Sequence, residues 1–394
     1  MIEARASAPG KLVLLGDYAV LEGAPALAVA VDRRATARVV PMAGGRFTID
    51  APDLGVSAAV AVAGRDGRLE WRCDAAIATR LGLVESLCNG LVARGLVAAG
   101  QGFGIELDTS GFFARDGAAR GKLGLGSSAA LTVALASALA IAGGQDARVA
   151  DRAGWLDELL ALHRAWQGGQ GSGVDIAASL AGGLLSYRPA AAAGEPRVAA
   201  RQWPPAGASC LFLWSGQSVS TAGFLDRLAA WRRADPAAHA AHLGELCELA
   251  AQADTALADG PAALVALVDA YSAALERFAN ASGLAIFTPG QLGLARLARA
   301  QGAAYKPCGA GGDFGVLVAG DPERLDWVRR VIMGDGPAPA PLSIDPAGLH
   351  FHPPFIPADP VRRDPGAMDT DGSRTRDGGT GKAPRPHAHG DLAK

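Results

Sequence analysis

The stretch Gly124-Leu125-Gly126-Ser127-Ser128-Ala129-Ala130 constrains this chain more than any other. Small residues and two hydroxyls run straight into an alanine-rich apolar segment, Leu131 to Ala142, the pattern of a tight loop feeding a buried helix. A helix start carries backbone N–H groups without intrahelical partners and the positive end of a dipole, so it attracts anions. Glycine lets a phosphate come close to the backbone, and a serine there can cap the helix or lend an oxygen to a metal ion. The pattern predicts a phosphate cradle. Plain helix capping is the competing reading, and a Gly-x-Gly pattern alone does not separate the two.

Composition narrows the partner. The chain has 394 residues, 49% hydrophobic and 19% charged, with a formal net charge of −2. This is a globular composition, long enough for two domains or one large one. It lacks the basic excess expected for nucleic acid or an anionic membrane, and its tryptophans are too dispersed to form a base-stacking platform. Cys73, Cys88, Cys210, Cys247 and Cys308 form no Cys-x-x-Cys pair, which reads as reduced thiols and not as a disulfide framework or zinc site. The histidine pairs at 239/242, 350/352 and 387/389 have no carboxylate or cysteine at ligand spacing. With no apolar run of about 18 residues and no signal-peptide core at the start, a cytoplasmic protein is expected. Nothing in the pattern sets the oligomeric state.

Short apolar runs between glycines predict strands at Leu12–Leu15, Leu27–Val31, Ala35–Val40, Ile105–Asp108, Gly183–Tyr187, Ser209–Trp214 and Phe314–Ala319. Helical patterns fall at 81–99, 128–142, 150–166, 222–233, 236–258, 261–281, 289–301 and 321–333, while 190–205 reads as loop. Residues 355–394 are rich in Pro, Gly, Asp, Arg and Lys and too poor in apolar groups to offset ordering entropy, so they are expected to be disordered.

Two more glycine-rich stations flank the central one. Pro9-Gly10-Lys11 precedes the first apolar run, and Lys306-Pro307-Cys308-Gly309-Ala310-Gly311-Gly312-Asp313 precedes the run at 314–319. In this order, over about residues 7–332, the three stations resemble the GHMP kinase family, which phosphorylates small metabolites with ATP. The resemblance implies an α+β, two-domain GHMP kinase fold with an active-site cleft between the domains. The N-terminal, ATP-binding domain is expected at 1–188 and the C-terminal domain at 189–354. Further details are similar to the phosphomevalonate branch of the family: Lys122-Leu123 before the loop, the run Gln167 to Ser179, and Trp214-Ser215-Gly216 followed by Ser220-Thr221. Arg164 stands where mevalonate kinases carry a metal-ligating glutamate. The chain departs from the branch where Cys308 replaces a serine, where one glycine is missing before Asp313, and where Gly169-Gln170 replaces an Asn-containing spacing.

The resemblance implies transfer of a phosphoryl group from ATP, with Mg2+, to a phosphorylated mevalonate-like acid in isoprenoid precursor synthesis. Lys122, Gly124, Leu125, Gly126, Ser127, Ser128 and Ala129 would hold the nucleotide, and Ser128 would also reach the metal. Lys11 would place positive charge between donor and acceptor. Asp175 would face the acceptor oxygen, either as a base or as a group that orients Lys11, since a phosphate acceptor needs little deprotonation. Asp17, Tyr18, Ser172, Ser220, Thr221, Gly309 and Gly311 are the expected acceptor contacts. Competing readings make Lys11 and Lys122 ordinary solvated lysines, and Asp175 a helix-start carboxylate favoured by the dipole. Another kinase of the family, acting on mevalonate or a sugar, is the nearest alternative function. A catalytically silent metabolite-binding relative is the more distant one, and the presence of Lys11, Ser127, Ser128 and Asp175 counts against it.

Overall fold

A computed structural model describes residues 2–113, 121–169, 171–189, 197–216, 222–331 and 337–353. Its first sheet is built on two long neighbours, β1 (Ala4–Leu15) and β2 (Ala26–Met42), which pair antiparallel with Lys11 opposite Ala30. On its other edge β2 is long enough to take two partners. It is joined by β3 (Arg46–Ala51), β4 (Val56–Ala63), β5 (Leu69–Trp71) and β6 (Gly102–Asp108) in the order β2-β6-β3-β4-β5, and by β7 (Leu184–Arg188), which carries β8 (Arg197–Arg201). The second sheet holds β9 (Ser209–Trp214), β10 (Ala304–Pro307), β11 (Phe314–Ala319) and β12 (Ala338–Pro339), in the order β10-β11-β9-β12. The chain then returns to the first sheet, where β13 (His350–His352) pairs with β1. Two strands from beyond residue 188 thus belong to the first sheet.

Helices α1 (Ala75–Arg80), α2 (Gly82–Ala93), α3 (Ser127–Ala142), α4 (Asp146–Ala150), α5 (Arg152–Trp166) and α6 (Val174–Ala181) accompany the first sheet in the chain. They are followed by α7 (Ala222–Ala234), α8 (Pro236–Ala251), α9 (Ala253–Asp259), α10 (Pro261–Ser282), α11 (Pro289–Ala300) and α12 (Pro322–Val331). Alanine explains the placement of α3. Small side chains on every face let the helix sit directly on β1 and β2 and be buried almost all round. Val133, Leu135 and Leu139 are each almost fully buried there, which is worth about 2 kcal/mol per side chain. Helix α6 packs on β1 and on α3.

Several expectations differ from what is observed: the helix expected at 81–99 ends at Ala93, the one at 150–166 begins after a break at Asp151, and three further segments depart as follows. The two strands at 27–31 and 35–40 are one continuous β2, because Arg34 at the charged break is pinned in extended chain by bonds to the carbonyls of Ser7 (2.7 Å) and Gly348 (2.6 Å) and by an ion pair with Asp345. Within the stretch expected to be loop, 197–201 forms β8 by pairing with β7. The helical pattern at 236–258 breaks at Gln252 into α8 and α9. Residues 332–333 and the segment 355–394 lie outside the described residues. Among the described residues no helix is long and apolar enough to cross a membrane.

Candidate functional site

Strand β1 carries Lys11 past the central glycine loop, and the Lys11 N–H donates to the Leu125 carbonyl at 2.8 Å. Gly126, with φ +77°, turns the chain into α3, and a side chain there would meet Lys11 Cε at 3.1 Å. The Lys11 stem therefore lies along the glycine. Among the described residues no side-chain hydrogen bond caps the head of α3, whose N-cap is Gly126. The N–H groups of Ser127, Ser128 and Ala129 occupy the first turn, where a helix has no internal acceptors. Ser127 and Ser128 also line a cavity of about 150 Å³ whose walls include Leu54, Leu83, Leu107, Phe113 and Trp166. Lys122 lines the same cavity from a β-bridge to Phe113, and desolvation lowers its pKa.

The third glycine station forms a turn between β10 and β11 and is bolted to the end of β1. Asp17 Oδ1 accepts from the Gly309 N–H, and Asp17 Oδ2 lies 2.6 Å from Lys306 Nζ, both side chains being fully buried. The Tyr18 hydroxyl donates to the Ala310 carbonyl at 2.7 Å. Expected as acceptor contacts, Asp17 and Tyr18 have their polar groups engaged within the protein. Gly311, with φ +94°, presses on the backbone of Ile286, and Ser215 Oγ donates to the Gly312 carbonyl at 2.6 Å. Lys11 reaches this turn as well, since its Nζ is 3.9 Å from where a side-chain carbon on Gly309 would stand. Cys308, in place of the branch's serine, is buried, and burial pushes its thiol up to about 12.

Asp313 closes the turn. Its Oδ1 accepts from the Phe314 N–H at 2.7 Å, and its Oδ2 occupies the position a side chain on Gly124 would take. The turn between β10 and β11 thus meets the central glycine loop at Gly124 through this carboxyl group. Burial raises that carboxyl to about 6, against the lowering effect of Lys11.

On the α6 side, Gly173 (φ +84°) turns the chain into the helix, with Asp175 half-buried in the first turn. Ser172 accepts from the Tyr187 hydroxyl through its carbonyl at 2.9 Å. Among the described residues Lys11 and Asp175 form no ion pair with each other or with any other side chain. Ser220 and Thr221 lie outside the described residues. Sequence reasoning did not single out Lys306 or Asp313. For Lys306 the signal was in plain view, because a charged residue beside an apolar strand must be either exposed or paired.

No family model matches the chain. A phosphomevalonate kinase of Streptomyces sp. (strain CL190) is 32% identical over 371 residues, covering 85% of this chain and 96% of the relative. A mevalonate kinase of Bos taurus is 32% identical over 225 residues, covering 46% of this chain and 53% of its own. Among solved structures, Streptococcus pneumoniae phosphomevalonate kinase in complex with phosphomevalonate and AMPPNP aligns with a TM-score of 0.66 at 20% identity, over 87% of this chain and 100% of that one. That structural likeness carries the fold.

Proposed function

This chain belongs to the GHMP kinase family, and from that premise we propose that it transfers the γ-phosphoryl group of ATP to phosphomevalonate, giving diphosphomevalonate and ADP in isoprenoid precursor synthesis. The observation that carries the reading is the position of Lys11. Its stem runs along Gly126 of one glycine station, and its ammonium approaches Gly309 of another. Phosphoryl transfer asks a protein for alignment and charge neutralisation more than for covalent chemistry. A flexible cation held where two anion-compatible backbone segments meet supplies both.

In this reading the open N–H groups at the head of α3 hold the nucleotide's phosphates, and Lys122 adds positive charge beside them. The apolar cavity next to Ser127 and Ser128 has room for part of the base, with Phe113 and Trp166 among its walls. Among the described residues no group of three His, Cys, Asp or Glu side chains is placed to hold a metal ion. That fits Mg2+, which keeps several waters and is held largely by substrate phosphates, with Ser128 supplying a hydroxyl from this chain. Bound there, Mg2+ would neutralise charge that develops on the transferred group. Asp175, at the head of α6, faces the acceptor. Because a phosphate acceptor is already an anion near neutral pH, Asp175 serves more to orient Lys11 than to deprotonate the acceptor.

The test is ADP release by the purified full chain with Mg·ATP and mevalonate, phosphomevalonate, homoserine or galactose in turn. Turnover is expected with phosphomevalonate. Turnover with another acceptor and none with phosphomevalonate overturns the assignment. Turnover with none of them favours a silent relative.

A further inference from the structure

We propose that Asp17 and Lys306 are a positioning pair, touching no substrate, that fixes the third glycine turn beside Lys11. The inference rests on the phosphotransfer reading and adds two residues to it.

The geometry is closed on every side. Both side chains have 0% exposure, and the ion pair spans 2.6 Å. Lys306 Nζ also donates to its neighbour's carbonyl at Pro307 (2.6 Å) and lies 3.5 Å from the carbonyl of Val13, two positions beyond Lys11 on β1. Asp17 gives its other oxygen to the Gly309 N–H. The Tyr271 hydroxyl donates to the Asp17 carbonyl at 2.7 Å, while its ring lies 5.9 Å from Nζ. With the Tyr18 bond to Ala310, these contacts tie residues 13–18 to residues 306–310. A substrate has no access to either charge.

The charged groups at this turn are placed by contacts: Asp17 and Lys306 by their ion pair and the Gly309 N–H, Asp313 by the Phe314 N–H, and Lys11 by its approach to Gly309. Lys306 takes Asp17, and among the described residues Lys11 is left without an ion pair. Its charge is then available to incoming phosphates. Burial drives the Asp17 carboxyl up and Lys306 draws it back, as expected of a pair whose charges depend on each other.

The test is a double-mutant cycle on the full chain: Asp17→Asn, Lys306→Met and both together, with ATP and phosphomevalonate varied separately. Each single change is expected to raise KM for phosphomevalonate at least about fivefold while KM for ATP stays within about twofold. The double variant should be no worse than the poorer single, because both residues act through one turn. Losses that multiply would mean that Asp17 meets the substrate independently, and would overturn the proposal, as would equal rises in both KM values. If the single variants fail to fold, the neutral double variant, which leaves no unpaired buried ion, carries the test. It is joined by Tyr18→Phe, which removes only the hydroxyl bonded to Ala310. A raised acceptor KM alone in these two supports the proposal, and wild-type kinetics in both overturns it. Wild-type protein inert toward phosphomevalonate would refute the functional reading instead, so the two failures are distinguishable.

Discussion

Asp313→Asn isolates the cost of placing a carboxyl group against the glycine loop at Gly124. The ordinary value for this carboxyl is 3.8, and burial raises it to about 6 in the folded protein. Between those values the folded state binds more protons than the unfolded one, so stability falls as pH rises from about 4 to about 6. Below that window the group contributes nothing. Above it the full cost is present, and two pKa units amount to about 3 kcal/mol. The side chain is almost wholly buried, so solvent screening removes little of this. Asparagine keeps the shape and an oxygen for the Phe314 N–H, yet carries no charge. The variant should therefore be more stable than wild type at pH 8 by about 1–3 kcal/mol, with the gain shrinking toward zero near pH 4. Urea denaturation of both proteins at four pH values between 4.5 and 8 reads this as a divergence of midpoints. A difference that does not vary with pH, or a variant weakest at pH 8, would refute the reasoning. A linked result follows at the ligand. Phosphates bound at 124–129 would push Asp313 higher still, so titration with AMPPNP near pH 7 should take up protons in wild type and fewer in Asp313→Asn.

Gly124→Ala places a methyl group on the Asp313 carboxyl and should destabilise by about 1–3 kcal/mol, with weakened nucleotide binding. Gly124→Ala combined with Asp313→Ala should recover much of that stability, and a thermal melt of the three variants checks it. Asp175→Ala should lower kcat at least about tenfold with the melting temperature unchanged, because no hydrogen bond of its side chain holds the fold among the described residues. Unchanged steady-state rates would remove Asp175 from the mechanism.

Much of the fold was legible because it is written locally. The alanine run of α3, the glycines that open α3 and α6, and the apolar runs of β1, β9 and β11 each announce their own conformation within a few residues. Strand β8 was not legible, because its pairing with β7 depends on a partner and not on its own pattern. The return of β13 to β1 was hidden for the same reason. The site shows the same division. Lys11, Ser127, Ser128 and Asp175 stand next to glycine stations and could be picked from them. The part Asp17 plays could not, since a carboxylate after a strand reads equally well as a substrate contact or as half of a buried pair.

The chain by itself determined where the backbone turns sharply into helices α3 and α6, with glycines, hydroxyls and a lysine beside those turns. These are properties of neighbouring residues, set by dihedral preferences and unmade backbone bonds. Tertiary structure alone decided which charges meet. Asp17 reaches Lys306 and Asp313 reaches Gly124 only because packing of the second sheet brings the turn at 308–313 onto β1 and the phosphate loop. The energy of a charge depends on the water it loses and the partner it gains, and neither is encoded within a few residues of the group itself.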